Sequence, residues 1–178
     1  GLDSSLDLIT RRTAHLMAPE QLTAAVGVLA EAFRERTASA FGLPEGEHVE
    51  FELVTDQPWS GFNYYEGGLR SRVAINIDLP VSSTAIAHLI AHEAYPGHHT
   101  EHCRKEVGLV RRRRMEEESI FLVGTPQCLL AEGLADLALE ALLGPDHEPE
   151  VAALLQPLGI RYDPDEVAAV AAAAEALS

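Results

Sequence analysis

Pro96-Gly97 interrupts an apolar helical run in the stretch "LIAHEAYPGHHTEH", and no other feature constrains the fold of this chain as much. Proline has no N–H to bond back to His92, and its ring crowds the preceding turn, so a helix must bend or stop there. The flanking residues carry chemistry. His92 and Glu93 open the zinc-protease phrase His-Glu-x-x-His, in which histidines four apart share one helix face and close on one metal. The glutamate beside the first histidine reaches the metal-bound water. Pro96 stands where the second histidine belongs, and the histidines arrive late as His98 and His99.

On an unbroken helix His99 lies two turns from His92 and about 10.5 Å along the axis, too stretched for easy chelation, and His98 points elsewhere. Pro96 releases the helical hydrogen bond back to His92, so a local bulge can change where either histidine points. His88 and His92 are four apart and can chelate without any bulge, but that pairing leaves Pro-Gly-His-His unexplained. Glu101 and His102 extend the polar end of the segment as supporting or surface groups.

Length and charge narrow the setting. The 178 residues suffice for one domain over 1–178 with a sizeable core. Acidic residues number 28 against 13 basic, a formal charge of -15, and such a field repels phosphate backbones and anionic lipid surfaces. Neither nucleic acid nor membrane is an expected partner; a peptide or small amide substrate is. The run "RRRRMEEE" sets Arg112, Arg113 and Arg114 each four residues before Glu116, Glu117 and Glu118, which reads as a solvated helix face of i,i+4 pairs. Two cysteines and the lack of a long apolar run fit a reduced, cytoplasmic protein. The chain starts at Gly1 without methionine and ends inside a helical pattern, as expected of a piece of a longer protein.

The pattern of apolar residues predicts an α+β fold: a mainly helical domain with a small antiparallel sheet beside the metal-site helix. Residues 4–17 are weakly periodic. Leu22, Val26, Leu29, Phe33 and Phe41 then mark one helical stripe, with Pro19 suited to the first turn. After the Gly-Leu-Pro-Glu-Gly break the period becomes two over Val49, Phe51 and Leu53, a strand. "NYYEGGLRSRVAINID" predicts a hairpin turned at Gly67-Gly68. Ser82, Ser83 or Thr84 caps the helix leading to His92. Thr125 caps and Pro126 opens a further helix, "PQCLLAEGLADLALEALLG", closed by Gly144-Pro145.

That last helix carries Glu132, Asp136 and Glu140 four residues apart, a carboxylate stripe in a Leu- and Ala-rich segment. Such a stripe commonly faces water while the leucines face the core. A His-Glu pair about forty residues upstream suggests a metal centre instead. Zinc enzymes with a glutamate ligand take two histidines from one helix and a glutamate from a later one, leaving a position for water. A further group accepts the remaining ring proton of the first histidine. Glu132 fits the ligand and Asp136 the orienting group.

"HEAYPGHH" followed by "EGLADLALE" resembles the His-Glu-x-x-Pro-Gly-His-His signature and later helix of the proteins grouped as domain of unknown function 885, which are similar to gluzincins, the zinc peptidases with a glutamate third ligand. The resemblance is specific over Ala91 to Glu101 and fair over Leu130 to Leu137; Leu134 stands where that family usually has tryptophan. It implies a mainly helical, zincin-like domain with zinc metallopeptidase activity. In related peptidases the ligand is the histidine directly after glycine, which here selects His98 over His99.

With zinc held by His92, His98 and Glu132, Glu93 is the expected general base. The donor to a developing oxyanion is sought among His99, Tyr95, Tyr64, Tyr65 and Tyr162. The strand "RVAINID" offers an edge to an extended peptide, with Asn76 and Arg72 as substrate contacts. The alternatives are a metal-binding domain without turnover and a helical structural domain whose histidines pair with carboxylates.

Overall fold

The computed structural model describes residues 15–175; the weakly periodic opening segment lies mostly outside them. The fold is α+β and mainly helical, with one small sheet. Helix α1 (Pro19–Ala40) begins with proline at its first position, where a missing N–H costs nothing. Its stripe of Leu22, Val26, Leu29 and Phe33 is buried as expected. Phe41 is not part of it: the helix ends at Ala40, and Phe41 is its exposed C-cap.

Strands β1 (His48–Val54), β2 (Gly61–Gly67) and β3 (Arg70–Asn76) form one sheet in the order β1-β3-β2. β2 and β3 are the expected antiparallel hairpin, turned through Gly67, Gly68 and Leu69, all with positive φ. β1 lies parallel to β3, pairing Phe51 with Val73 and Leu53 with Ile75, so the sheet is mixed rather than antiparallel throughout. Its six-residue link to β2 passes over the position that β3 fills.

Because β3 is central, it is buried on both faces from Val73 to Asn76, and strict alternation fails there. This corrects the expected docking edge. β3 is paired on both sides, and the edge strand is β2. Asn76 is buried and donates to the carbonyls of Gln57 and Trp59. Arg72 is engaged by Glu52 and Glu66. Both side chains are engaged within the sheet, and neither lines the cleft described below.

Helices α2 (Ser83–Glu93) and α3 (His98–Lys105) follow, then a π-helical turn (Glu106–Arg111) and a 3₁₀ turn (Glu116–Ser119). The arginine–glutamate ladder does not form, because Arg114 takes a positive φ and the helix ends before it; Arg111 pairs with Glu106 instead. Helix α4 (Pro126–Asp136) is capped by Thr125, whose hydroxyl accepts from the Cys128 amide at 3.2 Å. A break at Leu137 separates it from α5 (Ala138–Leu143), so the predicted single helix is two. Helices α6 (Glu148–Leu155) and α7 (Pro164–Glu175) complete the chain.

Leu29, Phe33, Val73, Ile75, Ile86, Ile90, Val151 and Leu155 are fully buried in a core shared by α1, β3, α2 and α6. At about 1.5–3 kcal/mol for each large apolar side chain, this cluster dominates the stability and fixes α2 against the sheet. No helix among the described residues is long and apolar enough to cross a membrane.

Candidate metal centre

The centre depends on how α2 stops. Ser82 caps its start, the hydroxyl accepting from the Ala85 amide at 3.2 Å. Ile86 and Ile90 anchor one face in the core, which turns His92 at the helix end toward α4. The helix does not bulge through Pro96. It ends at Glu93, crosses residues 94–97 as a non-helical link with a cis Tyr95–Pro96 peptide, and restarts at His98. Pro96 offers no N–H to continue the ladder, and the Gly97 amide folds back to the Ala91 carbonyl at 2.9 Å. A Cβ on Gly97 would overlap the carbonyl oxygens of His92 and Ala91. Glycine is therefore required for α3 to restart against the last turn of α2, and that contact puts the His92 and His98 rings 4.7 Å apart.

Glu132, in the middle of α4, faces both rings. Its carboxylate oxygens lie 3.4 Å from His92 Nε2 and 3.5 Å from His98 Nε2, and ligand atoms of all three residues fall within 4.8 Å of one another. These separations exceed a normal N–H···O hydrogen bond of about 2.7–3.2 Å. Each is close to one edge of a tetrahedron of zinc ligands, about 3.3–3.5 Å for metal–ligand bonds near 2.0–2.1 Å, the two being measured to different oxygens of the carboxylate. Two imidazoles and a carboxylate are also a typical donor set for zinc. On the other side of the ring, His92 Nδ1 lies 3.1 Å from Asp136 Oδ1, which makes Asp136 the candidate to fix the tautomer of a ligating His92.

The structure thus brings His92, His98, Glu132 and Asp136 together, and leaves Glu140 exposed one turn farther on. The leucines of α4 do not face the core. Ala131 and Ala135 are buried, whereas Leu129, Leu130, Leu134 and Leu137 are all more than half exposed. Small side chains let α4 lie close enough to α2 and α3 for Glu132 to reach both histidines.

Glu93 is buried and lines the same cleft as His92, His98 and Glu132. Burial, reinforced by the nearby charge of Glu132, pushes its carboxyl up to about 7. Asn63 on β2 donates to the Glu93 backbone carbonyl at 2.6 Å and pins the helix end to the sheet edge. Gly61 permits the close approach: a Cβ there would stand 2.7 Å from Leu89 Cδ1 and 3.4 Å from Glu93 Oε1. The cleft, about 1110 Å³, runs from this centre along β2, past His102 and Phe121, to the π-helical turn.

His99 is placed otherwise than expected. It is fully buried behind α3, where Nε2 meets Glu47 Oε2 at 2.9 Å and Nδ1 meets the Ser71 hydroxyl at 2.8 Å. An ionised carboxylate only accepts, so Nε2 carries the proton. Tyr95 also donates to Glu47, at 2.7 Å, and Arg34 Nε at 2.6 Å. Burial by itself would raise the Glu47 carboxyl; the bonds from His99, Tyr95 and Arg34 outweigh it and hold the group at about 2. Neither His99 nor Tyr95 lines the cleft, so neither serves as an oxyanion donor.

Tyr64 packs with Trp59 and Phe62 beneath Arg72, and Tyr162 packs against the core. Of the sequence candidates only Tyr65 lines the cleft, and its hydroxyl donates to Glu106. His102, expected as a supporting or surface group, is buried in the cleft wall and stacked on Tyr65. Its burial, with the positive charge of Lys105 nearby, lowers its pKa to about 3. Sequence reasoning missed Glu47, Gly61 and Asn63: the partners that tie them to α2 and α3 lie 28 to 52 residues away along the chain, and no local spacing signals them. In comparisons with family models, curated proteins and solved structures, nothing matches this chain.

Proposed function

We propose that this chain is a zinc-dependent hydrolase of peptide or related amide bonds, of the gluzincin kind that its His-Glu-x-x-Pro-Gly-His-His phrase resembles. The observation that carries the proposal is the pair of 3.4 and 3.5 Å separations around Glu132, with Glu93 buried beside them in a cleft. His92, His98 and Glu132 would hold the ion, and Asp136 would accept the His92 Nδ1 proton. Zinc bound there supplies a Lewis acid and lowers the pKa of water toward about 7.

Glu93 is the proton acceptor. Buried in the cleft beside the ligands, its carboxylate can take a proton from the attacking water and return one to the leaving amine. The Asn63 bond to its backbone holds it in place. An extended peptide fits the open edge of β2, where Gly61 to Asn63 and Tyr65 to Gly67 border the cleft.

The test is metal content followed by turnover. Purified protein should contain one zinc per chain and cleave members of a mixed peptide digest, read by mass spectrometry. Glu93→Gln should keep the metal and lose about a hundred- to ten-thousand-fold in rate. Near-normal turnover by Glu93→Gln with zinc bound would exclude Glu93 as the base.

A further inference from the structure

His92 has ligand-type neighbours on both sides of its ring. Toward the cleft they are His98 and Glu132; toward solvent they are His88 and Asp136. The second group is nearly as tight as the first, its ligand atoms also falling within 4.8 Å of one another. Asp136 Oδ1 is 3.1 Å from His92 Nδ1 and 4.0 Å from His88 Nε2. His88 and His92 are one helical turn apart on α2, with rings 5.8 Å from each other, so no backbone movement is needed to bring them to one ion.

We propose that His88, His92 and Asp136 form a second, outer position for a divalent cation of the zinc type, and that it competes with the inner position for His92. The inner position uses Nε2 of that ring and the outer uses Nδ1. A neutral imidazole has one nitrogen free to bind while the other carries the proton, so His92 serves one ion at a time. Loading the outer position moves the ring proton from Nδ1 to Nε2 and turns Asp136 from proton acceptor into ligand.

The two positions differ in access. The His88 and Asp136 side chains are 51% and 66% exposed, whereas that of His98 is 9% exposed. An ion arriving from solvent meets the outer group first. An ion that stays there takes His92 away from the cleft and from Glu93, so the outer position holds metal in a form that cannot support hydrolysis. This inference builds on the inner-site reading for its contrast, but its own ligands are distinct.

The test reads which ring nitrogen binds. Zinc titration by calorimetry is combined with long-range ¹H–¹⁵N spectra of the histidine rings, which distinguish a ligated Nδ1 from a ligated Nε2. In the unsubstituted chain one zinc should occupy His92 Nε2. His98→Ala, or His98→Gln where alanine disturbs folding, should keep one weaker zinc, now on His92 Nδ1. Adding His88→Ala to that variant should weaken binding at least about a further tenfold, since even an orienting partner is worth that much.

Zinc still on Nε2 in the His98 variants, or an affinity there that ignores His88, would overturn the outer position and leave the inner one standing. An unsubstituted chain with no zinc on either nitrogen would overturn both.

Discussion

His98 and His99 are neighbours on one helix and have opposite surroundings. His98 faces the cleft, and its nearest carboxylate oxygen is 3.5 Å away, too far for a good hydrogen bond. His99 faces the interior and is satisfied at both nitrogens, at 2.8 and 2.9 Å. The two carboxylates serving these regions diverge as well: burial and Glu132 raise Glu93 to about 7, while Glu47, buried but bonded by His99, Tyr95 and Arg34, falls to about 2. The His99 group is complete in itself and stabilises the fold, whereas His98 and Glu132 stand farther apart than a good hydrogen bond, which is the spacing the proposed metal reading uses. The position of a histidine in a motif does not decide its role, and the atoms around it do.

The most severe way to break this contrast is to remove the link that creates it. Gly97→Ala introduces a Cβ into the carbonyls of His92 and Ala91, so α3 can no longer restart against α2. Both regions should fail together, with zinc binding lost and the thermal midpoint lowered by several degrees or more, since overpacking costs about 1–3 kcal/mol or more. Normal zinc affinity in a stable Gly97→Ala protein would mean that the close approach is not what assembles the centre.

The divergent carboxyls allow a separation by pH in metal-free protein. Glu93 has a folded pKa above its ordinary value of 4.5, so its contribution is fully present below pH 4.5 and is lost as pH rises through 7. Glu93→Gln should therefore stabilise the fold above pH 7 by up to about 3 kcal/mol and change little below pH 4.5. Glu47 has a folded pKa below 4.5, so its contribution is present above pH 4.5 and is lost as pH falls toward 2. Glu47→Gln should destabilise by a similar amount at neutral pH, and the difference should shrink in acid. Denaturant midpoints measured across pH 2 to 9 check both signs; parallel profiles would contradict the separation.

Much of this architecture was legible in the sequence where its causes are local. Leu22 to Phe33 mark α1 by period, Ser82 and Thr125 announce their caps, and Gly67-Gly68 announces the hairpin. The meeting of His92, His98, Glu132 and Asp136 could be anticipated from two short helical patterns. What was hidden depends on partners distant in the chain. β1 joins β3 in parallel because β3 returns into the middle of the sheet, which no residue of either strand records. The arginine–glutamate ladder has ideal spacing and is undone by the turn at Arg114. His99 belongs to Glu47, 52 residues earlier.

A smaller effect sharpens the picture on the metal side. Asp136 does not face the cleft but lies 3.1 Å from His92 Nδ1. Asp136→Asn should weaken zinc binding by about ten- to a hundred-fold, the usual cost of losing an orienting carboxylate. The fold should be unaffected, because the residue is exposed. Calorimetric titration checks the affinity and circular dichroism the fold.

The most direct measurement compares the two neighbouring histidines in zinc affinity and stability together. His98→Ala should weaken zinc binding by more than Asp136→Asn does, leaving at most the weak outer position, with little change in the stability of metal-free protein. His99→Ala should bind zinc with near-normal affinity and lose about 3 kcal/mol of stability or more, because Glu47 would be left buried without a principal partner. Loss of zinc by His99→Ala with unchanged stability, and retained tight binding by His98→Ala, would contradict the account.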